Sequence, residues 1–137
     1  MTLRLHHMGF VVADIATAMP AFTRSMAAEW DGKIFDDPLQ KVKVAFMTTR
    51  PGDAQIELVQ PVGESSPVAR FLQQGGGMHH LCYEVSDLEA ELAAFRSRGA
   101  AIASRPKAAV AFGGRRIAWV ITSEKFLVEL PEERLRE

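Results

Sequence analysis

Two histidines and two glutamates stand at matched places in the two halves of this chain. Laying His6-His7-Met8-Gly9-Phe10-Val11-Val12-Ala13-Asp14 over His79-His80-Leu81-Cys82-Tyr83-Glu84-Val85-Ser86-Asp87 aligns both histidines, Val12 with Val85 and Asp14 with Asp87, at an offset of 73 residues. Ile56-Glu57-Leu58-Val59 lies over Val128-Glu129-Leu130-Pro131 at an offset of 72. Imidazole nitrogens and carboxylate oxygens are the ligands that a borderline divalent ion such as Zn²⁺, Co²⁺, Ni²⁺ or Mn²⁺ accepts, and open positions beside them can take water or a substrate oxygen. A single strand histidine is more often a hydrogen-bonded core residue, and a single glutamate between apolar neighbours more often faces solvent. Recurrence as two matched pairs favours His7, Glu57, His80 and Glu129 as the ligands of one ion.

Such side chains need elements that aim them. His7 to Val12 alternates as a strand, with Met8, Phe10 and Val12 on one face and His7, Gly9 and Val11 on the other. Ile15 to Met26 carries a helical stripe of Ile15, Met19, Phe22 and Met26, with Pro20 as a kink or early stop. In the second copy Ser86 and Glu89 have capping-box spacing, Leu88, Leu92 and Phe95 make the stripe, and Gly99 is the stop. Strands are predicted near residues 29–35 and 101–104, and over 41–48, 55–60, 116–121 and 126–130. Each half therefore reads βαβββ. The domain plan is a single domain over 1–137: a first module over 1–62, a linker with one short helix over 63–75, and a second module over 76–131.

Strand parity assigns faces. If Met8, Phe10, Val12 and their counterparts Leu81, Tyr83 and Val85 cover the helices, His7 and His80 point to the opposite face, and Glu57 and Glu129 point away from their apolar neighbours. The four converge only if the first and last strands of each module are close. By the same parity His6 and His79 fall on the helix side as structural residues. Cys82 shares the side of His80 as a small packing residue, and Trp30 and Trp119 read as core.

The whole-chain quantities set bounds. With 137 residues, 47% hydrophobic and 24% charged, the chain has the balance of a globular domain. A net charge of -1 lacks the basic stripe that nucleic acid demands. One cysteine suits a reducing compartment, and no run reaches the roughly 20 apolar residues of a membrane span. The expectation is a cytoplasmic protein with neither nucleic acid nor membrane as partner.

The segments His7-Met8-Gly9-Phe10-Val11-Val12, Ile56-Glu57-Leu58, Gly76-Gly77-Met78-His79-His80-Leu81 and Leu127-Val128-Glu129-Leu130 resemble the four ligand-bearing segments of the vicinal oxygen chelate (glyoxalase/bleomycin resistance/dioxygenase) superfamily. Ser65-Ser66-Pro67-Val68-Ala69-Arg70-Phe71-Leu72 before that glycine run, and Gly113-Gly114-Arg115-Arg116-Ile117, are most similar to the methylmalonyl-CoA epimerase branch. The resemblance spans nearly the whole chain, loosely over 13–50. It implies an α+β fold of two paired βαβββ modules in an eight-stranded open cup, with His7, Glu57, His80 and Glu129 as ligands of Co²⁺, Zn²⁺, Ni²⁺ or Mn²⁺. The reaction implied is proton transfer alpha to a thioester carbonyl, with Glu129 as a base. Val44 departs from the pattern, standing where members of that branch can carry a glutamate, which leaves Glu57 as the candidate second base.

The same resemblance implies an acyl thioester substrate, on CoA or an acyl carrier protein, and a homodimer. Arg115 and Arg116, with Arg105 and Lys107 nearby, are candidates for the substrate phosphates. A glyoxalase I-type isomerase uses the same ligand order and is the alternative within the superfamily. Extradiol dioxygenases would leave Glu57 without a role. A metal-free antibiotic-binding protein is the alternative of another class, and it has no use for four ligands.

Overall fold

The structure, a computed structural model, describes residues 3–109 and 112–133. Its contacts divide the chain into two compact units: residues 7–79, and residues 80–133 together with the short run before His7.

The first unit contains β1 (Arg4–Val11) from His7 on, α1 (Ile15–Ser25), β2 (Glu29–Trp30), β3 (Phe35–Asp37), β4 (Val42–Thr48), β5 (Gln55–Pro61) and α2 (Ala69–Gln73). Its strands run in the order β2-β4-β5-β1, with β3 also paired to β4. β1 and β5 are parallel neighbours, so the first and last strands of the module lie side by side. The second unit contains β6 (Gly77–Glu84) from His80 on, α3 (Leu88–Ser97), β7 (Ala101–Ala108), β8 (Arg116–Ile121) and β9 (Leu127–Pro131). Its order, β6-β9-β8-β7, repeats the first, again with a parallel β6–β9 pair. The condition that parity left open is met in each unit.

Period-two strands set against helices explain both cores. Ile15 and Met19 of α1 pack on Ala45, Met47, Ile56 and Leu58, with Met8, Phe10 and Val12 at the margin. Leu88, Leu92 and Phe95 of α3 pack on Ala118, Val120, Val128 and Leu130. Each fully buried leucine of this kind contributes roughly 1.5–3 kcal/mol.

Several local expectations are corrected. The single strand predicted near residues 29–35 is two strands, which makes nine strands rather than eight among the described residues. Between them Gly32 adopts φ +85°, Lys33 N–H donates to Asp31 Oδ1 at 2.9 Å, and Trp30 Nε1 donates to the Lys33 carbonyl at 3.0 Å. A turn held by three such constraints cannot stay extended. Pro20 does not stop α1, which runs on to Ser25; Pro20 and Ala16, whose carbonyl has no N–H to accept from at Pro20, are both exposed residues. Met26 is the C-cap and 42% exposed rather than part of the buried stripe. The N-cap of α3 is Asp87, not Ser86: its carboxylate accepts from Ala90 N–H at 3.1 Å, as Asp14 accepts from Thr17 N–H at 2.9 Å in α1. β7 runs four residues beyond its predicted end. It is irregular in register and carries Pro106, which an edge strand tolerates because no further strand needs its N–H.

Gly76 ties the short helical linker to β1. At φ +67°, a Cβ there would lie 2.7 Å from the Val11 carbonyl oxygen, so only glycine allows this close passage.

Candidate metal centre

The ladders explain how the histidine–glutamate pairs form. In the parallel β1–β5 pair Gly9 stands opposite Glu57, so His7, two residues earlier, shares the face of Glu57 on a diagonal. The two side chains meet with His7 Nε2 3.2 Å from Glu57 Oε1. In the β6–β9 pair Cys82 stands opposite Glu129, and His80 Nε2 lies 3.4 Å from Glu129 Oε1. The relative exposures are 0% for His7, 4% for Glu57, 4% for His80 and 5% for Glu129.

Buried carboxylates are costly unless an opposing charge or several donors compensate them. In each unit an imidazole lies at close range to the buried carboxylate, and an imidazole is both a donor when protonated and a ligand when neutral. An Nε2 nitrogen and a carboxylate oxygen about 3.3 Å apart can both reach a single ion at Zn–N and Zn–O distances of roughly 2.0–2.2 Å. The donor set therefore fits a divalent ion.

Aromatic residues flank both pairs. Phe46 is the cross-strand partner of Glu57 and meets the His7 ring edge-on, with centroids 5.4 Å apart. Trp119 is the cross-strand partner of Glu129 and meets the His80 ring at 4.8 Å. Reading Trp119 as a core residue missed this relation. The signal for it was the same offset of 73 that links His7 to His80.

The other residues singled out in the sequence have contacts of their own. His6 and His79 are half-buried, edge-on to Phe112 at 5.3 Å and to Phe71 at 4.9 Å. Cys82 is buried and packs with Ala109, Phe112 and Ile117. Val44, also buried, faces the side of Glu57, opposite Val59. Arg115 and Arg116 are occupied within their own unit. Arg115 donates to the Phe112 and Glu132 carbonyls at 2.9 and 2.8 Å and pairs with Glu84 at 3.2 Å. Arg116 pairs with Glu132 and with Glu89, which raises its own pKa and holds the Glu89 carboxyl below the usual range. Among the described residues no helix is long and apolar enough to cross a membrane.

Comparison with known proteins agrees with this geometry. Over 101 residues the chain is 38% identical to the ethylmalonyl-CoA/methylmalonyl-CoA epimerase of Cereibacter sphaeroides, covering 72% of this chain and 73% of that protein. It is 34% identical over 89 residues to the mitochondrial methylmalonyl-CoA epimerase of Homo sapiens, which covers 64% of this chain but spans only about half, 49%, of the human protein. The crystal structure of methylmalonyl-CoA epimerase from Mycobacterium tuberculosis superposes with a TM-score of 0.81 at 29% identity, over 96% of this chain and 89% of that one. The family model for the glyoxalase/bleomycin resistance protein/dioxygenase superfamily matches residues 6–119, a stretch that takes in both histidines, Glu57 and both flanking aromatics. With the model matching most of the chain, the chain belongs to the glyoxalase/bleomycin resistance protein/dioxygenase superfamily.

Proposed function

We propose that this protein is a metal-dependent enzyme that moves a proton at the carbon alpha to a thioester carbonyl, as a methylmalonyl-CoA epimerase does. The observation that carries the reading is the pair of buried imidazole–carboxylate contacts, one in each unit, on a chain similar to enzymes of that name. His7, Glu57, His80 and Glu129 hold one divalent ion, Co²⁺, Zn²⁺, Ni²⁺ or Mn²⁺; each is buried and offers one ligand atom. When bound, such an ion supplies Lewis-acid polarisation of a carbonyl oxygen.

The chain's own residues do the rest. Inversion at the alpha carbon needs one group to take the proton from one face and another to return a proton on the opposite face. Glu129 serves one face. Val44 has no proton to give or take, so Glu57 serves the other. The apolar surroundings of both carboxylates, Phe46 and Val59 around Glu57 and Trp119 around Glu129, exclude water and strengthen each electrostatic contact at the reacting centre. The substrate is an acyl thioester carried by CoA or an acyl carrier protein, held by a homodimeric enzyme.

The test is to load the protein with Co²⁺ in deuterated buffer and follow the alpha proton of methylmalonyl-CoA by NMR. Catalysed loss of the proton signal together with inversion is the expected result. Absence of exchange, alongside isomerisation of a glutathione hemithioacetal, would move the assignment to the glyoxalase I reaction.

A further inference from the structure

We infer that Phe46 and Trp119 are a matched pair of positioning residues that fix the two ligand imidazoles against their carboxylates; this rests on the metal reading above. Each ring satisfies two independent relations within its own unit. Phe46 stands across the antiparallel β4–β5 ladder from Glu57 and meets the His7 ring at 5.4 Å and 69°. Trp119 stands across β8–β9 from Glu129 and meets the His80 ring at 4.8 Å and 81°. Both are edge-to-face geometries within the favourable centroid range of about 4.5–7 Å.

The rings are themselves held. Phe35 braces Phe46 edge-on at 6.3 Å, and Trp119 packs on the cluster of Cys82, Ala109, Phe112 and Ile117. The helix-side cores do not require them, since Ala45 and Met47 beside Phe46, and Ala118 and Val120 beside Trp119, supply those contacts. One relation built from a phenyl in one half and an indole in the other is more than shared core filling. The imidazole has one soft torsion about its Cβ–Cγ bond that burial alone does not set. An edge-to-face contact with a held ring selects the orientation in which Nε2 faces the carboxylate oxygen. Hydrogen-bonding partners that orient a ligand histidine are worth about ten- to a hundredfold in metal affinity, and a packed ring that fixes the same torsion sets the lower end of that range.

The experiment measures Co²⁺ affinity by chelator competition for the wild type and for Phe46→Leu, Trp119→Leu, Phe46→Tyr, Trp119→Phe and Phe95→Leu. The expected result is affinity about tenfold lower or worse in the two leucine variants, with a changed cobalt absorption spectrum and unchanged circular dichroism. The aromatic replacements retain affinity, and so does Phe95→Leu, which alters an aromatic packed on the helix-side core. Leucine variants that bind Co²⁺ as the wild type does, with the wild-type spectrum, overturn the inference and leave the four-ligand reading intact. A wild type that binds no Co²⁺ overturns both. Should the leucine variants fail to fold, ring-proton NMR of the metal-free wild type decides. Sharp, ring-current-shifted His7 and His80 signals support fixed imidazoles, and averaged shifts overturn them.

Discussion

Cys82 stands directly opposite Glu129 in the parallel β6–β9 ladder, and Gly9 holds the same place opposite Glu57 in β1–β5. A small residue at this rung lets the histidine two residues earlier reach diagonally to the carboxylate. Cys82 is fully buried. Cys82→Ala is expected to keep metal binding, whereas Cys82→Leu overfills the rung, with a stability loss of about 1–3 kcal/mol and weakened Co²⁺ binding. Denaturant unfolding and metal titration of the two variants check this.

Glu57 and Glu129 have different expected failures. Glutamine keeps a ligating carbonyl oxygen but cannot take up a proton. Each substitution should lower inversion by about a hundredfold or more, while each variant still exchanges the alpha proton of one stereoisomer from its intact face. Chiral analysis combined with deuterium incorporation separates these outcomes. A Glu57→Gln enzyme with full metal occupancy and undiminished inversion would remove Glu57 from the chemistry.

Gly76 passes under the Val11 carbonyl at a distance that leaves no room for a methyl group. Gly76→Ala should destabilise the fold by about 2–4 kcal/mol, the strain of φ +67° adding to the clash. Gly63→Ala shares only the backbone strain, since nothing lies within 4 Å of its Cβ, and should cost about 1 kcal/mol. Comparable losses at both positions, by thermal or denaturant unfolding, would contradict the close-passage argument.

Asp14 caps α1, and the Thr17 hydroxyl and backbone N–H hold its carboxyl below the ordinary value. A carboxyl with a depressed folded pKa contributes stability that is present above the unfolded value and is lost as pH falls through the folded one. Asp14→Ala should therefore lower the thermal midpoint at neutral pH. The difference from wild type should narrow below about pH 4, as measured by melting curves across that range.

The two histidine–glutamate pairs were legible in sequence because strands have a period of two. Once His7 alternates with Met8 and Glu57 with Ile56, the faces follow without coordinates, and the internal repeat supplies the second pair. Register was not legible. That Phe46 rather than Val44 stands opposite Glu57 depends on how the turn over residues 49–54 closes, and the same holds for Trp119 opposite Glu129 across 122–126. The capture of Arg115 and Arg116 by Glu84, Glu89 and Glu132 joins residues up to 31 apart, which composition cannot reveal. The split of the second strand turns on the local chemistry of Asp31, Gly32 and Lys33, an Asp-Gly turn set between strand-forming Trp30 and Phe35.

The most direct test of the account is the stoichiometry of Co²⁺ bound to the purified, untagged protein, in the wild type and in His7→Ala and His80→Ala. The account predicts one ion per chain, lost or greatly weakened in either variant, because His7 and His80 are both proposed ligands of that ion. Two ions per chain, or one ion that survives either substitution, would show each imidazole–carboxylate pair binding by itself and would contradict the shared centre.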